Sequence, residues 1–243
     1  MPSSLEPKKY GFAIHTSSPQ LGLALSDFVG DSRSQTWDLG RDLSTHLHQY
    51  IAEFLKPQTW ADLAFIAVAM GPGSFTGTRI GVVTARTLAQ QLDIPLFAIS
   101  TLAAVAWDRY QESGIQGNPE TIQNPKSKIQ NRAIAQGAPP EGAIALQIPA
   151  QRGQLFAAIY QLSPSNSGLT PLFPDTVLTP EAWQQTLDHR QTSYQLIDIP
   201  AGIGLGESVS SLLELAYLDW QQGKRPDWTD ALPFYGQHPV EDK

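Results

Sequence analysis

The stretch LAFIAVAMGPGSFTGTRIGVVTARTLAQQL occupies residues 63–92 and carries the clearest structural signal in this 243-residue chain. Residues 63–70 are almost all apolar, as in a β-strand that is buried on both faces. Gly71, Pro72 and Gly73 end this strand, and the residues from about Phe75 to Leu92 predict a helix. A second apolar strand is expected at residues 94–99. Strand, helix and strand in this order predict a layered α/β sheet with a right-handed crossover.

Segments on both sides of this stretch continue the α/β pattern. Upstream, a β-hairpin and an amphipathic helix are predicted at residues 10–15, 21–25 and 41–55. Downstream, a helix, a second hairpin and a helix–strand–helix series are predicted at residues 101–110, 143–148, 155–160, 181–187, 194–199 and 207–220. Residues 111–141 break the pattern with Gln, Asn, Pro and Gly, and are interpreted as a flexible surface insertion.

The composition excludes several kinds of protein. A net charge of −7 disfavours a chain that binds nucleic acid by itself, so contact with nucleic acid is expected only through a partner. The absence of cysteine excludes disulfides and thiolate-bound zinc. Residues 1–9 lack the apolar segment of a signal peptide, and no apolar run is long enough to span a bilayer. We therefore expect a cytoplasmic protein with no membrane contact.

The helix at residues 75–92 carries a ridge of small side chains at intervals of four residues: Gly77, Gly81, Ala85 and Ala89. Each glycine inside a helix costs roughly 1 kcal/mol relative to alanine, so close approach of another backbone is expected on this face. Either the sheet beneath the helix or another chain can supply that backbone. The residues alone favour the chain's own sheet.

The turn at residues 71–77 has the glycine content of a phosphate-binding loop. It lacks the Lys of a Walker loop, because Thr78 and Arg79 follow Gly77, and its glycine spacing departs from the dinucleotide-binding fingerprint. A tight strand-to-helix turn with Ser74 or Thr76 as the helix cap is the favoured interpretation.

Few residues have the pattern of a catalytic or metal site. His46 and His48 are two apart on a predicted helix and cannot share one ion. The hydroxyl groups of Ser17, Ser74 and Thr76 are nucleophiles by type only, and turn or cap roles are preferred for them. The sequence contains no His-Glu-x-x-His metalloprotease motif. We expect no catalytic, cofactor-binding or metal-binding residues in this chain.

Two arginines of the same helix, Arg79 and Arg86, are seven residues apart and lie close to one face. They are interpreted either as a small basic strip for the acidic groups of a partner or as ordinary solvated charges.

The string at residues 71–81, together with His15, Thr16 and Ser17 at the end of the first strand, resembles the TsaB family, which is also called YeaZ. The resemblance is good over residues 10–106 and weaker afterwards. The later matching positions are Arg152-Gly153, Phe156-Ala157 and Pro233 to Tyr235.

The resemblance implies an α/β fold of the actin-like ATPase (ribonuclease H-like) type, with two lobes of which the second is reduced. The first lobe is assigned to residues 1–106, a linker helix end and insertion to 107–142, and the reduced second lobe with the C-terminal tail to 143–243. The resemblance further implies a non-catalytic scaffold for formation of N6-threonylcarbamoyladenosine in tRNA. Its partners are a TsaD-like catalytic paralogue and a TsaE-like ATPase, it forms a homodimer when alone, and tRNA is contacted only in the complex.

No cofactor is expected on the chain alone, whereas ATP and Mg²⁺ are expected on the partner subunits. In this family the first two helices build the pairing surface, so the resemblance assigns the small-residue ridge to a subunit interface. The predicted interface residues are Leu47, Ile51, Gly77, Ile80, Gly81, Thr84, Ala85, Leu88 and Ala89. The alternative function is a stand-alone enzyme of the same fold, either a small-molecule kinase or a glycoprotease-like peptidase.

Three positions depart from the family pattern. His15 stands where the first strand normally ends in an acid, Pro149 where an acid precedes Arg-Gly, and Tyr235-Gly236-Gln237 where the family ends in Tyr-Leu-Arg. A neutral imidazole is a poor ligand for Mg²⁺, which prefers oxygen. His15 therefore makes ATP hydrolysis by this chain alone still less expected.

Overall fold

The first sheet of the protein has five strands in the order β3-β2-β1-β4-β5. The structure, a computed structural model, describes residues 9–112, 142–164, 167–190 and 192–236. The strands are Tyr10–His15 (β1), Gln20–Ser26 (β2), Ser32–Asp38 (β3), Leu63–Ala69 (β4) and Leu96–Ile99 (β5). β1 pairs antiparallel with β2 and parallel with β4, and β4 pairs parallel with β5. The insertion predicted at 111–141 falls almost entirely outside the described residues.

A second sheet of four strands has the order β8-β7-β6-β9. Its strands are Ala143–Pro149 (β6), Leu155–Leu162 (β7), Leu169–Leu178 (β8) and Tyr194–Asp198 (β9). As in the first sheet, the leading strand pairs antiparallel with the next strand and parallel with a later one. This repeated arrangement, with fewer elements in the second lobe, confirms the predicted two-lobed fold.

The described residues form five α-helices that cover the two sheets: Leu43–Leu55 (α1), Phe75–Leu92 (α2), Thr101–Glu112 (α3), Pro180–Asp188 (α4) and Val209–Gln221 (α5). α1 and α2 cover one face of the first sheet, where their apolar side chains share a core with β1, β2 and β4. α3 and α5 lie between the sheets and supply residues to the cores on both sides. α4 covers the outer face of the second sheet. None of the described helices is long and apolar enough to cross a membrane.

Two strands were not predicted, and each lies at the edge of a sheet. β3 has Trp37 as its only large apolar residue and none of its residues is buried. β8 contains Pro171 and Pro174, which cannot donate to a ladder and are tolerated on edge strands. In addition, α5 follows the second lobe in the chain but packs on the first sheet. The domain limits stay a prediction.

The C-terminal tail runs back along α2. The Trp228 ring lies under Arg86, and the Tyr235 ring lies 4.8 Å from the Phe75 ring at the start of the helix. Between them, the Phe234 amide donates to the carbonyl oxygen of Met70 at 2.7 Å. The tail is therefore attached to the loop that starts α2 and flanks the helix over most of its length.

The contact between α3 and α5 contains a buried carboxyl group, Asp108. Its Oδ1 accepts a hydrogen bond from the Ser211 hydroxyl at 3.0 Å, whereas Oδ2 has no partner in the part of the chain that the structure describes. Burial raises the pKa of Asp108 to about 6, and the Glu112 and Glu207 carboxylates favour the same direction against the Arg109 guanidinium and the Ser211 hydrogen bond. The folded protein thus takes up a proton here at a pH where the unfolded chain does not.

We expect Asp108 to make the protein more stable as the pH falls from 7.5 to 5.0. Because its pKa is raised in the folded state, this group contributes about 1.4 kcal/mol over that interval. Urea unfolding of the wild type and of Asp108→Asn at both pH values measures the contribution as the difference between the two proteins. An equal pH dependence in both would contradict the prediction.

Candidate partner-binding face

The turn that starts α2 is bound to the end of β1. The Ser74 amide donates to the carbonyl oxygen of Ser17 at 2.7 Å, and the Thr78 hydroxyl donates to the Ser17 hydroxyl at 3.1 Å. The Ser74 hydroxyl accepts from the Gly77 amide at 3.2 Å, so Ser74 caps α2 as predicted. The alternative cap, Thr76, is an exposed residue. The hydroxyl groups of Ser17 and Ser74 thus have structural partners.

The small-residue ridge of α2 packs against this same chain. A Cβ atom on Gly77 would lie 2.2 Å from the carbonyl oxygen of Thr16, and one on Gly81 would lie 2.1 Å from Thr16 Oγ1. The Thr16 hydroxyl donates to the Gly77 carbonyl at 2.8 Å. Ala85 and Ala89 are fully buried in the core between α2 and the first sheet. The backbone that approaches the ridge is therefore the end of β1.

This packing corrects the interface predicted from the family resemblance. Seven of the nine predicted residues are buried within the chain: Leu47, Ile51, Gly77, Gly81, Thr84, Ala85 and Ala89. The other two, Ile80 and Leu88, are partly buried against the same core. A side chain that is buried beneath its own helix is not available to a partner. The four-residue periodicity was interpreted correctly as one face, but that face meets the sheet rather than a second subunit.

The opposite face of α2 carries four large side chains, Phe75, Arg79, Val83 and Arg86, here called the outer stripe. The first three are exposed and Arg86 is partly buried. Their spacing of four, four and three residues places all four on one side of a helix. Val83 is 60% exposed and Phe75 is 40% exposed. The helix contains no acidic residue. The outer stripe is thus apolar and basic in a chain whose net charge is −7.

Aromatic rings hold both arginines of the outer stripe. The Arg79 guanidinium lies 5.4 Å from the centre of the Phe75 ring, and that of Arg86 lies 5.6 Å from the centre of the Trp228 ring. Tyr235 packs on Phe75 from the tail. Sequence reasoning missed this contribution, because the only signal from the tail was the weak family match at Pro233 to Tyr235.

The family resemblance implies a metal-binding acid at the end of β1, where this chain carries His15. The His15 side chain is fully buried, and neither ring nitrogen has a hydrogen-bond partner among the described residues. Burial lowers the pKa of His15 to about 3, so the imidazole is neutral at physiological pH. Magnesium requires oxygen ligands. This position does not fit the metal of an ATPase site.

Other candidate metal ligands are scattered. Within residues 9–112, 142–164, 167–190 and 192–236, no group of three His, Asp or Glu side chains is arranged to hold a metal ion. His46 and His48 are exposed on the outer side of α1, as predicted for solvated residues.

Comparison with known proteins relates the chain to TsaB and TsaD proteins. The family model described as TsaD, a tRNA N6-adenosine threonylcarbamoyltransferase, matches residues 39–122. The Bacillus subtilis tRNA threonylcarbamoyladenosine biosynthesis protein TsaB is 33% identical over 180 residues, which are 73% of this chain and 66% of that protein. The match therefore spans just under two thirds of the relative's length.

Two solved structures show the same fold. YeaZ from Pseudomonas aeruginosa is 22% identical and superposes with a TM-score of 0.66 over 93% of this chain and all of that one. A second Pseudomonas aeruginosa structure, described as similar to peptidase YeaZ, is 21% identical, with a TM-score of 0.68 over 94% of this chain and all of its own. The actin-like fold is thus confirmed, and both the sequence match and the solved structures relate the chain to TsaB (YeaZ) proteins.

Proposed function

We propose that this protein is a non-catalytic accessory subunit in the formation of N6-threonylcarbamoyladenosine in tRNA. The biosynthetic role is supported by the name of the Bacillus subtilis relative. The partners we propose are a TsaD-like catalytic subunit and a TsaE-like ATPase, with ATP and Mg²⁺ on those subunits. In their absence the same surface pairs two copies of this chain, and tRNA is reached only through the complex.

The outer stripe of α2 is the surface we propose for the TsaD-like subunit. The observation that carries this proposal is Val83, an apolar residue that is 60% exposed in the middle of a helix and stands between two arginines. A single exposed apolar residue needs no explanation. Here Phe75 extends the apolar surface toward the tail, and the basic groups fit the polar rim that surrounds an interface core. The docking face is thus on the side of α2 opposite the small-residue ridge.

The non-catalytic half of the proposal is supported by His15. At the position of the metal-binding acid, the chain has a buried neutral imidazole whose nitrogens are unpaired among the described residues. Purified protein should show no ATP turnover above background. Turnover that is lost on substitution of Thr16 or Ser17 would support the enzymatic alternative instead.

Val83→Asp is expected to weaken association with the TsaD-like subunit of the same organism by at least about tenfold, because it places a charge in the desolvated centre of the contact. The variant should fold normally, since Val83 is exposed and lies away from the core. Affinity is measured by isothermal titration calorimetry, and folding by circular dichroism and urea unfolding.

Val29→Asp is the matched control. Val29 is 92% exposed in the turn between β2 and β3, remote from the outer stripe, so this variant should bind within twofold of the wild type. In a reconstituted assay with the TsaD-like and TsaE-like subunits, tRNA modification should need this chain and should fall with Val83→Asp but not with Val29→Asp. Full modification without the chain, or equal effects of both variants, would contradict the proposal.

A further inference from the structure

We infer that Arg79 and Arg86 are paired anchors for two carboxylates on an acidic amphipathic helix of the partner subunit. This inference rests on the proposed function and adds to it the chemistry that the docking surface recognises. It assigns polar contacts to the two arginines of the outer stripe and an apolar contact to Val83 between them.

The spacing of the two arginines defines the complementary surface. They are seven residues apart, and a helix rises 1.5 Å per residue, so their positions are about 10.5 Å apart along the axis. A partner helix that packs along α2 presents carboxylates at this distance when its acidic residues are also seven apart. Val83 lies between the arginines and requires an apolar residue between those two acids. The expected partner surface is therefore acid, apolar, acid over two helical turns.

The aromatic rings prepare each guanidinium for such contacts. Phe75 lies beneath Arg79, and Trp228 lies beneath Arg86, within the distance of a cation–π interaction. A ring on one side of the guanidinium leaves N–H groups on its other side available to bind a carboxylate. Because the ring restricts the side chain before binding, less conformational entropy is lost on association.

Neither arginine is neutralised within the described part of the chain. No ion pair there involves Arg79 or Arg86, and α2 supplies no acidic residue. The nearby tail acid Asp227 accepts hydrogen bonds from the amide and the hydroxyl of Thr229. Two preorganised cations without an acidic partner favour a negatively charged ligand.

A protein helix fits this surface better than an RNA backbone. The exposed Val83 side chain between the arginines needs an apolar contact that a run of phosphates does not offer. The net charge of −7 disfavours the long run of phosphates in RNA more than it disfavours a helix that brings two carboxylates. The test must therefore distinguish binding of tRNA to the outer stripe from binding of a partner helix.

The test measures affinity for the TsaD-like subunit of the same organism at 50 mM and 300 mM salt. Arg79→Gln and Arg86→Gln should each weaken binding about tenfold at low salt, and the double variant about a hundredfold. The double variant should also lose most of the salt dependence. Trp228→Leu should weaken binding in the wild type but not in Arg86→Gln, because the ring acts through that arginine.

Arg225→Gln is the matched control. Arg225 also stacks on an aromatic ring, that of Trp220, but it follows α5 on the other face of the first sheet. Arg79→Lys and Arg86→Lys retain charge but not the planar edge, and should recover only part of the affinity. Normal urea unfolding of each variant excludes loss of the fold as the cause.

The outcomes distinguish the arginine anchors from the docking face on which they lie. Normal binding by the Arg79→Gln, Arg86→Gln double variant, together with loss of binding in Val83→Asp, overturns the arginine anchors and retains the docking face. No binding of the wild-type chain overturns both. Binding of tRNA by the isolated chain that disappears in the double variant, with subunit affinity unchanged, replaces the acidic helix with RNA and also overturns the inference.

Discussion

Gly77→Ala is expected to lower the free energy of unfolding by about 3 kcal/mol, at the upper end of the usual cost of overpacking a core. This is opposite to the usual effect, because alanine normally stabilises a helix by roughly 1 kcal/mol relative to glycine. The new Cβ would lie 2.2 Å from the backbone carbonyl oxygen of Thr16, which cannot move without shifting β1. Urea unfolding of purified protein measures the change.

Three further substitutions show whether contact with Thr16 is the cause. Gly30→Ala adds the same methyl group where no atom lies within 4 Å, and should change stability by less than about 0.5 kcal/mol. Gly81→Ala brings its Cβ to 2.1 Å from Thr16 Oγ1. Combining it with Thr16→Ala should therefore cost less than the sum of the two single changes. If Gly77→Ala unfolded like the wild type and lost only subunit association, the ridge would be an interface after all.

Sequence periodicity predicted α2 with both of its ends correct and placed the small residues together on one face. It could not show which element packs against that face, because a sheet of the same chain and a helix of another chain can both approach glycine closely. The composition of the opposite face of α2 indicates which side of the helix meets the sheet. Arg79 and Arg86 lie on the side of α2 opposite Gly77 and Gly81, and two arginines facing a β-sheet would carry a large desolvation cost.

The tail was the least predictable part of the docking face. Trp228 and Tyr235 are about 140 residues or more from the α2 residues they contact, and no local pattern encodes such a pairing. Edge strands β3 and β8 were missed for a related reason. With only one sheet neighbour each, and with Pro171 and Pro174 in β8, they lack the continuous apolar pattern of the central strands.

The sequence showed that His15 replaces the usual acid at the end of β1, but it did not show the environment of the His15 side chain. The residue type alone permitted a hydrogen-bonded histidine, whereas the structure gives His15 full burial and no partner for either nitrogen among the described residues. A buried imidazole without a partner strongly resists protonation. His15 therefore does not fit the Mg²⁺ of an ATPase at this position, and it also makes the fold sensitive to acid.

We expect His15 to reduce the stability of the protein by about 2 kcal/mol as the pH falls from 7.5 to 5.0. The pKa of His15 is about 3 in the folded protein, against the ordinary histidine value of 6.5 in the unfolded chain. Below pH 6.5 the unfolded chain thus gains a proton that the folded protein does not, and unfolding becomes more favourable. His15→Leu removes this titration and fills similar space with an apolar side chain.

The contribution of His15 must be separated from that of Asp108, which acts in the opposite direction because its pKa is raised in the folded state. Urea unfolding of the wild type, His15→Leu and His15→Gln at both pH values makes this separation, since Asp108 is present in all three proteins. Both variants should lose the same pH-dependent contribution, whatever their stability at pH 7.5. If both instead keep the pH dependence of the wild type, the imidazole protonates as readily in the folded protein as in the unfolded chain. That result requires water at the end of β1, and a hydrated crevice would restore the possibility of a polar ligand there.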